Sequence, residues 1–194
     1  MGRYFGTDGI RGKANETLDV QRAFQVGRYL GYYFSRQGKG RILVGKDTRL
    51  SSGMFENAIA AGASASGADV YLLGYCPTPS VAYLVKREQF SCGVMISASH
   101  NPYYDNGIKV FSQAGIKLPA EIEALEGLEH YLNWLESLFD FRLEQFHLAL
   151  DLANGSATTT AEKLLRRMGA HCTVIHSEPN GVNINTKCGS THPE

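Results

Sequence analysis

The chain has 194 residues, and its 19 Lys and Arg balance 19 Asp and Glu to a formal net charge of zero. It therefore lacks the bulk positive charge that holds nucleic acid or an anionic membrane. The hydrophobic share of 43% is ordinary for a globular protein, and the length suffices for one good core, or for one domain and part of another.

Charge is unevenly spread. Ten cations precede Ser51 against Asp8, Glu16, Asp19 and Asp47, whereas residues 121–144 are acidic with Arg142 the sole cation. Such a basic N-terminal region suits a small anionic substrate, although a solvated face gives the same bias. Cys76, Cys92, Cys172 and Cys188 show no C-x-x-C spacing, so neither a zinc knuckle nor a thioredoxin-type pair is proposed, and a reduced, cytoplasmic protein fits best. The opening MGRYFGTDG has no apolar core of a signal peptide, and no run is long enough to cross a bilayer.

In chain order, apolar spacing at Val20, Phe24, Leu30 and Phe34 predicts a helix over 19–36 with Thr17 as N-cap, ending near Gly38. RILVG at 41–45 reads as a strand, and Ser51 and Ser52 open a helix to about residue 66. A strand over 69–74, a rigid Pro77-Thr78-Pro79 connector and a helix over 80–87 follow, then a buried strand over 93–96. Asn101-Pro102 and Asp105-Asn106-Gly107 punctuate a loop, and 107–111 reads as its return strand. A helix is expected over 120–138, with an apolar stripe for packing and Trp134 in the core. A fresh unit starts at Phe146: strand FHLALDLA, turn Asn154-Gly155-Ser156, helix 159–168 and strand 171–176. His130, His147, His171, His176 and His192 have no ligand spacing and are treated as incidental. This alternation predicts an α/β fold: a layered βαβ domain with a mostly parallel mixed sheet over 1–145, then the incomplete start of a second, similar domain over 146–194.

The loop after the fourth strand draws the chemistry. Ser99 sits at a strand's end, where open α/β sheets put ligands, with His100 beside it and Lys109 across a Gly-containing turn. A hydroxyl beside a cation suits phosphoryl chemistry, and no G-x-S-x-G elbow is present for a serine hydrolase. On residue types alone the loop is equally an ordinary turn whose Ser and Asn satisfy their own backbone.

Four segments, in order, carry a resemblance: YFGTDGIRG at 4–12, VGKDTRLSSG at 44–53, GVMISASHNPYYDNGIKVF at 93–111 and EPNGVNIN at 178–185. Together they resemble the α-D-phosphohexomutases, and the first and last are more similar to the bacterial glucosamine-phosphate branch than to its phosphomannose or phosphoglucose relatives. The resemblance implies a phosphoserine at Ser99. It would pass its phosphoryl group to a hexosamine phosphate and recover one from the other end of the bisphosphate intermediate. It also implies that Arg11 and Lys109 stabilise charge at Ser99, that His100 acts beside the serine, and that Asn101, Thr7 and Asp8 meet the substrate. Lys46, Asp47 and Arg49 are expected to form an ion-pair and cap network supporting the site.

The implied cofactor is Mg²⁺, a hard ion for hard oxygens, of whose ligands this chain holds only the phosphoryl oxygen on Ser99. The implied partners are the sugar phosphate and a second copy in a homodimer, with no nucleic acid and no membrane. Two departures stand out. The joint before LDLANG at 150–155 is shorter than usual in the family, and the metal, sugar and distal phosphate loops are absent. The chain thus resembles the N-terminal portion of a four-domain enzyme, expected to lack turnover alone. Phosphomannomutase or phosphoglucomutase activity, or a binding module that kept the loop without catalysis, are the alternatives.

Overall fold

The computed structural model describes residues 10–36, 38–112 and 124–192. A five-stranded mixed sheet is built from β1 (Ile10–Lys13), β2 (Arg41–Lys46), β3 (Asp69–Tyr75), β4 (Cys92–Ile96) and β5 (Asp105–Ser112), in the order β1-β5-β4-β2-β3. Strands β3, β2 and β4 are mutually parallel, while β5 runs antiparallel to both β4 and β1. Both faces are covered. Helices α1 (Val20–Phe34) and α2 (Ser52–Ala65) pack on one face with Ile42, Val44, Val94 and Ile96. Helix α3 (Thr78–Arg87) packs on the other with Leu43, Leu73 and Met95. This explains why β2 and β4 read as unbroken apolar runs: a strand with helices on both faces buries alternate side chains either way.

The connections fix where a ligand can sit. From β2 the chain goes through α2 to β3 at the sheet edge, then returns through α3 on the opposite face to β4, on the other side of β2. The carboxyl ends of β2 and β4 therefore flank a topological switch point, where diverging crossovers leave a crevice.

Helix α4 (Ala124–Ser137) packs on α3, where Trp134 stacks on Tyr83 at a centroid distance of 4.5 Å. Trp134 is at the core's margin, half-exposed, because its ring covers α3 on one side only. Strands β6 (His147–Asp151) and β7 (His171–Ile175) form a separate parallel pair joined through α5 (Ala161–Arg167). Helix α4 meets this unit through Glu129, which pairs with Lys163 and Arg167. These contacts hold the Glu129 carboxyl below the usual carboxylate range.

Helices α1 and α2 approach so closely that side chains are excluded at the crossing. A Cβ on Gly62 would lie 2.2 Å from the Phe24 carbonyl oxygen, and one on Gly27 would lie 2.2 Å from that of Ile59.

Several expectations need correction. The N-cap of α1 is Asp19, whose Oδ1 accepts from the Arg22 amide at 2.8 Å, while Thr17 accepts from the Lys13 amide instead. The helix ends at Phe34, short of Gly38. Thr78 and Pro79 belong to the first turn of α3 rather than to a connector, since a proline there loses no helical hydrogen bond. Asp105, Asn106 and Gly107 are strand residues, paired with Lys13, Gly12 and Arg11 of β1. The last helix is shorter than expected, with a 3₁₀ turn at Ser156–Thr159 before it. Residues 113–123 lie outside the described residues, including the expected start of the helix over 120–138.

Candidate active site

The loop over 97–104 leaves β4 and turns back into β5. The Ser97 amide bonds the Gly107 carbonyl at 2.9 Å, the Asn101 amide bonds the Ala98 carbonyl at 3.2 Å, and the Asp105 amide bonds the Pro102 carbonyl at 3.1 Å. At its shoulder Ser99 takes φ +56°, a left-handed conformation uncommon for any residue but Gly, Asn and Asp. Strain of this kind persists only where the surroundings over-determine it. Here the Ser97 hydroxyl receives the Ser99 amide at 3.1 Å, and the Ser99 carbonyl is held from two sides.

The first hold is Arg49, fully buried at the end of the β2 loop. Its Nε pairs with Asp47 Oδ2 at 2.9 Å, and its two terminal nitrogens donate to the carbonyls of Ser99 at 2.9 Å, Asn101 at 2.9 Å and Pro102 at 2.7 Å. Asp47 Oδ1 in turn accepts from the Arg49 amide and from Ser52 Oγ. The rigid guanidinium fork thus ties one switch-point loop to the other, with its charge neutralised inside the first loop. Asn106 adds a second tie, donating to Ser51 Oγ at 2.9 Å and Ser52 Oγ at 3.1 Å. The expected support network is present in Asp47 and Arg49, whereas Lys46 turns away to pair with buried Glu56.

The second hold comes from the β6–β7 unit. Asn185 Nδ2 donates to the Ser99 carbonyl at 3.1 Å and to that of Asn101 at 3.3 Å. The loops also meet through Thr48 Oγ1 on the Asn154 carbonyl at 2.8 Å and the Leu50 amide on the Gly181 carbonyl at 2.7 Å.

What this scaffold presents is the Ser99 hydroxyl, into which Lys109 Nζ donates at 2.8 Å. Arg11 stands opposite Gly107 on β1, and a Cβ at Gly107 would lie 3.0 Å from the Arg11 side chain and 2.9 Å from the Ser97 carbonyl oxygen. A glycine is therefore required for Arg11 to lie across this end of the sheet. His100 is exposed at the tip of the loop, and Asn101 donates to Asp105 Oδ2 at 2.9 Å, closing the turn. Thr7 and Asp8 lie outside the described residues. The sequence reading missed Asn185 because its partner is 86 positions away, and gave Arg49 no direct hold on the serine.

The residues around Ser99 do not by themselves make a magnesium site. Asp47 is held by Arg49 and Asp105 by Asn101, leaving the serine oxygen as the contribution of this loop. Among the described residues one group of His, Cys and carboxylate atoms lies close enough to share an ion, Asp151, His176 and Cys188, within 4.8 Å of one another. Its thiol and imidazole are soft donors unsuited to Mg²⁺, and both Asp151 oxygens are already bonded. Oδ2 accepts from the Gly189 amide, and Oδ1 from the Ala153 amide with His176 Nδ1 at 3.1 Å. Burial would raise the Asp151 carboxyl, but these partners outweigh it and hold the group below its ordinary value. His176, treated as incidental in the sequence, therefore has a defined partner in Asp151, although it lies exposed at the surface.

Comparison with known proteins agrees with this architecture. Residues 2–129 match the family described as phosphoglucomutase/phosphomannomutase, alpha/beta/alpha domain I. The chain is 49% identical to the phosphoglucosamine mutase of Lachnoclostridium phytofermentans over 221 aligned positions, covering all of this chain and 49% of the relative. It is similar in fold to a Burkholderia thailandensis protein of the phosphoglucomutase/phosphomannomutase family, with TM-score 0.77 and 24% identity over 91% of this chain and 44% of the other. It is also similar to the Aspergillus fumigatus N-acetylphosphoglucosamine mutase solved with GlcNAc-6P and magnesium, with TM-score 0.50 and 18% identity over 78% of this chain and 27% of the other. The chain spans about half the length of the curated relatives it matches. With a matching profile over most of its length and a switch-point serine loop to go with it, the chain belongs to the phosphoglucomutase/phosphomannomutase family.

Proposed function

We propose that the protein to which this chain belongs is a phosphoglucosamine mutase, interconverting glucosamine 6-phosphate and glucosamine 1-phosphate through a phosphoserine at Ser99. The observation that carries this reading is the contact between Lys109 and the Ser99 hydroxyl on a strained loop at the switch point. Identity of 49% to a phosphoglucosamine mutase supports the choice of sugar.

In this mechanism the phosphorylated Ser99 gives its phosphoryl group to the C1 oxygen of glucosamine 6-phosphate, breaking the Oγ–P bond. Ser99 Oγ then takes the phosphoryl group from the C6 oxygen of the bisphosphate, leaving glucosamine 1-phosphate. Lys109 neutralises the charge that moves between these oxygens, and Arg11 is assigned the same task from β1. Transfer of this kind is catalysed chiefly by positioning and charge stabilisation. His100 and Asn101 border the serine, and Thr7 and Asp8 are assigned to the substrate by the family motif. Magnesium would supply further charge neutralisation to the phosphoryl oxygens, with most of its ligands from outside the described residues. We read residues 1–145 as the serine-bearing domain and 146–194 as the start of a second domain. The β6–β7 pair, separate from the main sheet, supports this division. The reading places the enzyme in the cytoplasm; among the described residues no helix is long and apolar enough to cross a membrane.

The test uses the complete gene product. Turnover of glucosamine, mannose and glucose phosphates is compared, and intact mass is measured for wild type and Ser99→Ala. Preference for the glucosamine ester, with loss of the covalent phosphate and of turnover in the variant, is expected. A variant that keeps both phosphate and activity overturns the nucleophile assignment. A polypeptide confined to these 194 residues is expected to show no turnover in the same assay.

A further inference from the structure

We infer that Asn185 is a positioning residue for Ser99, through which the β6–β7 unit sets the backbone conformation of the serine. This rests on the reading of Ser99 as the phosphoryl carrier. Three observations carry it.

The Ser99 and Asn101 carbonyls each receive two donors, one from Arg49 and one from Asn185. Two acceptors with two lone pairs each are thereby saturated, and the turn holding the left-handed serine is bracketed by a guanidinium on one side and a carboxamide on the other. Arg49 follows a strand of the same sheet as Ser99 does. Asn185 does not: it reaches the loop from another unit.

Asn185 is itself held firmly. Its amide donates to the Ala153 carbonyl at 3.0 Å, its neighbour Ile184 is buried, and its φ is +58°. Asparagine tolerates that left-handed backbone better than other donors do, so one residue meets both the conformational and the hydrogen-bonding requirement. An aspartate would tolerate the backbone equally but would set a carboxylate against two carbonyl oxygens.

The two units are joined nearby by Thr48 with Asn154 and Leu50 with Gly181, so loss of the Asn185 amide leaves the units docked. What changes is the freedom of the serine. A hydroxyl that wanders by an ångström loses much of the advantage of prepositioning, up to about a hundredfold.

The experiment uses the complete gene product, with Asn185→Ala, Asn185→Asp, and Thr186→Ala as a neighbouring control that does not touch the serine loop. The inference expects kcat to fall about tenfold in Asn185→Ala and further in Asn185→Asp, with KM within about twofold, a thermal midpoint that drops by a few degrees in Asn185→Ala because alanine is strained at this left-handed position, and Thr186→Ala unaffected. Unchanged kcat in both Asn185 variants overturns it, as does a loss of activity that follows only the loss of folded protein. Ser99→Ala is run in parallel: if that variant stays active, the phosphoserine reading has failed, whereas an inactive Ser99→Ala beside fully active Asn185→Ala and Asn185→Asp sinks the positioning role alone.

Discussion

Lys109 reaches Ser99 because β4 and β5 pair antiparallel: Lys109 stands opposite Met95, and the loop between the strands folds the serine hydroxyl back to within 2.8 Å of the ammonium. The cation is thus mounted on a strand and the hydroxyl on a braced loop. In the complete gene product, Lys109→Met should lower kcat by about two to three orders of magnitude while circular dichroism and melting temperature stay near wild type. Arg11→Ala, exposed on β1, should slow phosphoryl transfer in the same way. A large loss of thermal stability with normal activity in the folded fraction would assign both residues to structure instead.

Arg49 should behave differently, because it is buried and its removal strips the Asp47 carboxylate of its counter-charge and takes one donor from each of three carbonyls at once. Arg49→Ala is expected to cost about 3–5 kcal/mol in urea unfolding. Arg49→Lys should recover little of it, since an ammonium cannot reproduce the fork. A loss below about 1 kcal/mol would show that the loops are not tied through this side chain.

The α1–α2 crossing allows a signed prediction. In an open helix Gly62→Ala would gain about 1 kcal/mol from helix propensity. Here the new methyl meets the Phe24 carbonyl oxygen at 2.2 Å, so the helices must separate, at a net cost of about 1–3 kcal/mol. Thermal unfolding of Gly62→Ala decides the sign.

Burial raises the thiol of Cys76 to about 11 and that of Cys92 to about 12 from a starting value of 9.0. Above pH about 9 the unfolded chain loses these protons while the folded chain keeps them, so stability falls with rising pH, by about 1.4 kcal/mol per pH unit for each thiol. The decline from Cys76 ends near pH 11 and that from Cys92 near pH 12; below pH about 8 neither contributes. Urea titrations from pH 8 to pH 10 should therefore show a shallower fall in Cys92→Ala than in wild type, and parallel slopes would refute the burial argument.

Much of this molecule was legible in one dimension. Apolar runs at 41–45 and 93–96 mark strands that prove to be covered on both faces, helical spacing marks α1, and the Ser51-Ser52 pair marks the start of α2, because burial and helix ends leave local signatures. The motif around Ser99 likewise placed that serine and Lys109 together, as the structure has them, since the Gly-containing turn between them brings the lysine back toward the serine. Local signals then ran out. Thr17 and Asp19 are both good helix caps two residues apart, and the choice fell to Asp19 once the Thr17 hydroxyl was drawn to the Lys13 amide. Asp105, Asn106 and Gly107 have turn chemistry, yet they are strand because β1 supplies the ladder. The hold of Asn185 on the Ser99 carbonyl, and of Arg49 on three carbonyls of the same loop, has no periodicity to announce it. Such contacts join positions 86 and 50 residues apart, and only the tertiary structure decided that they meet: β2 pairing beside β4 brings in Arg49, and the β6–β7 unit packed beside the switch point brings in Asn185.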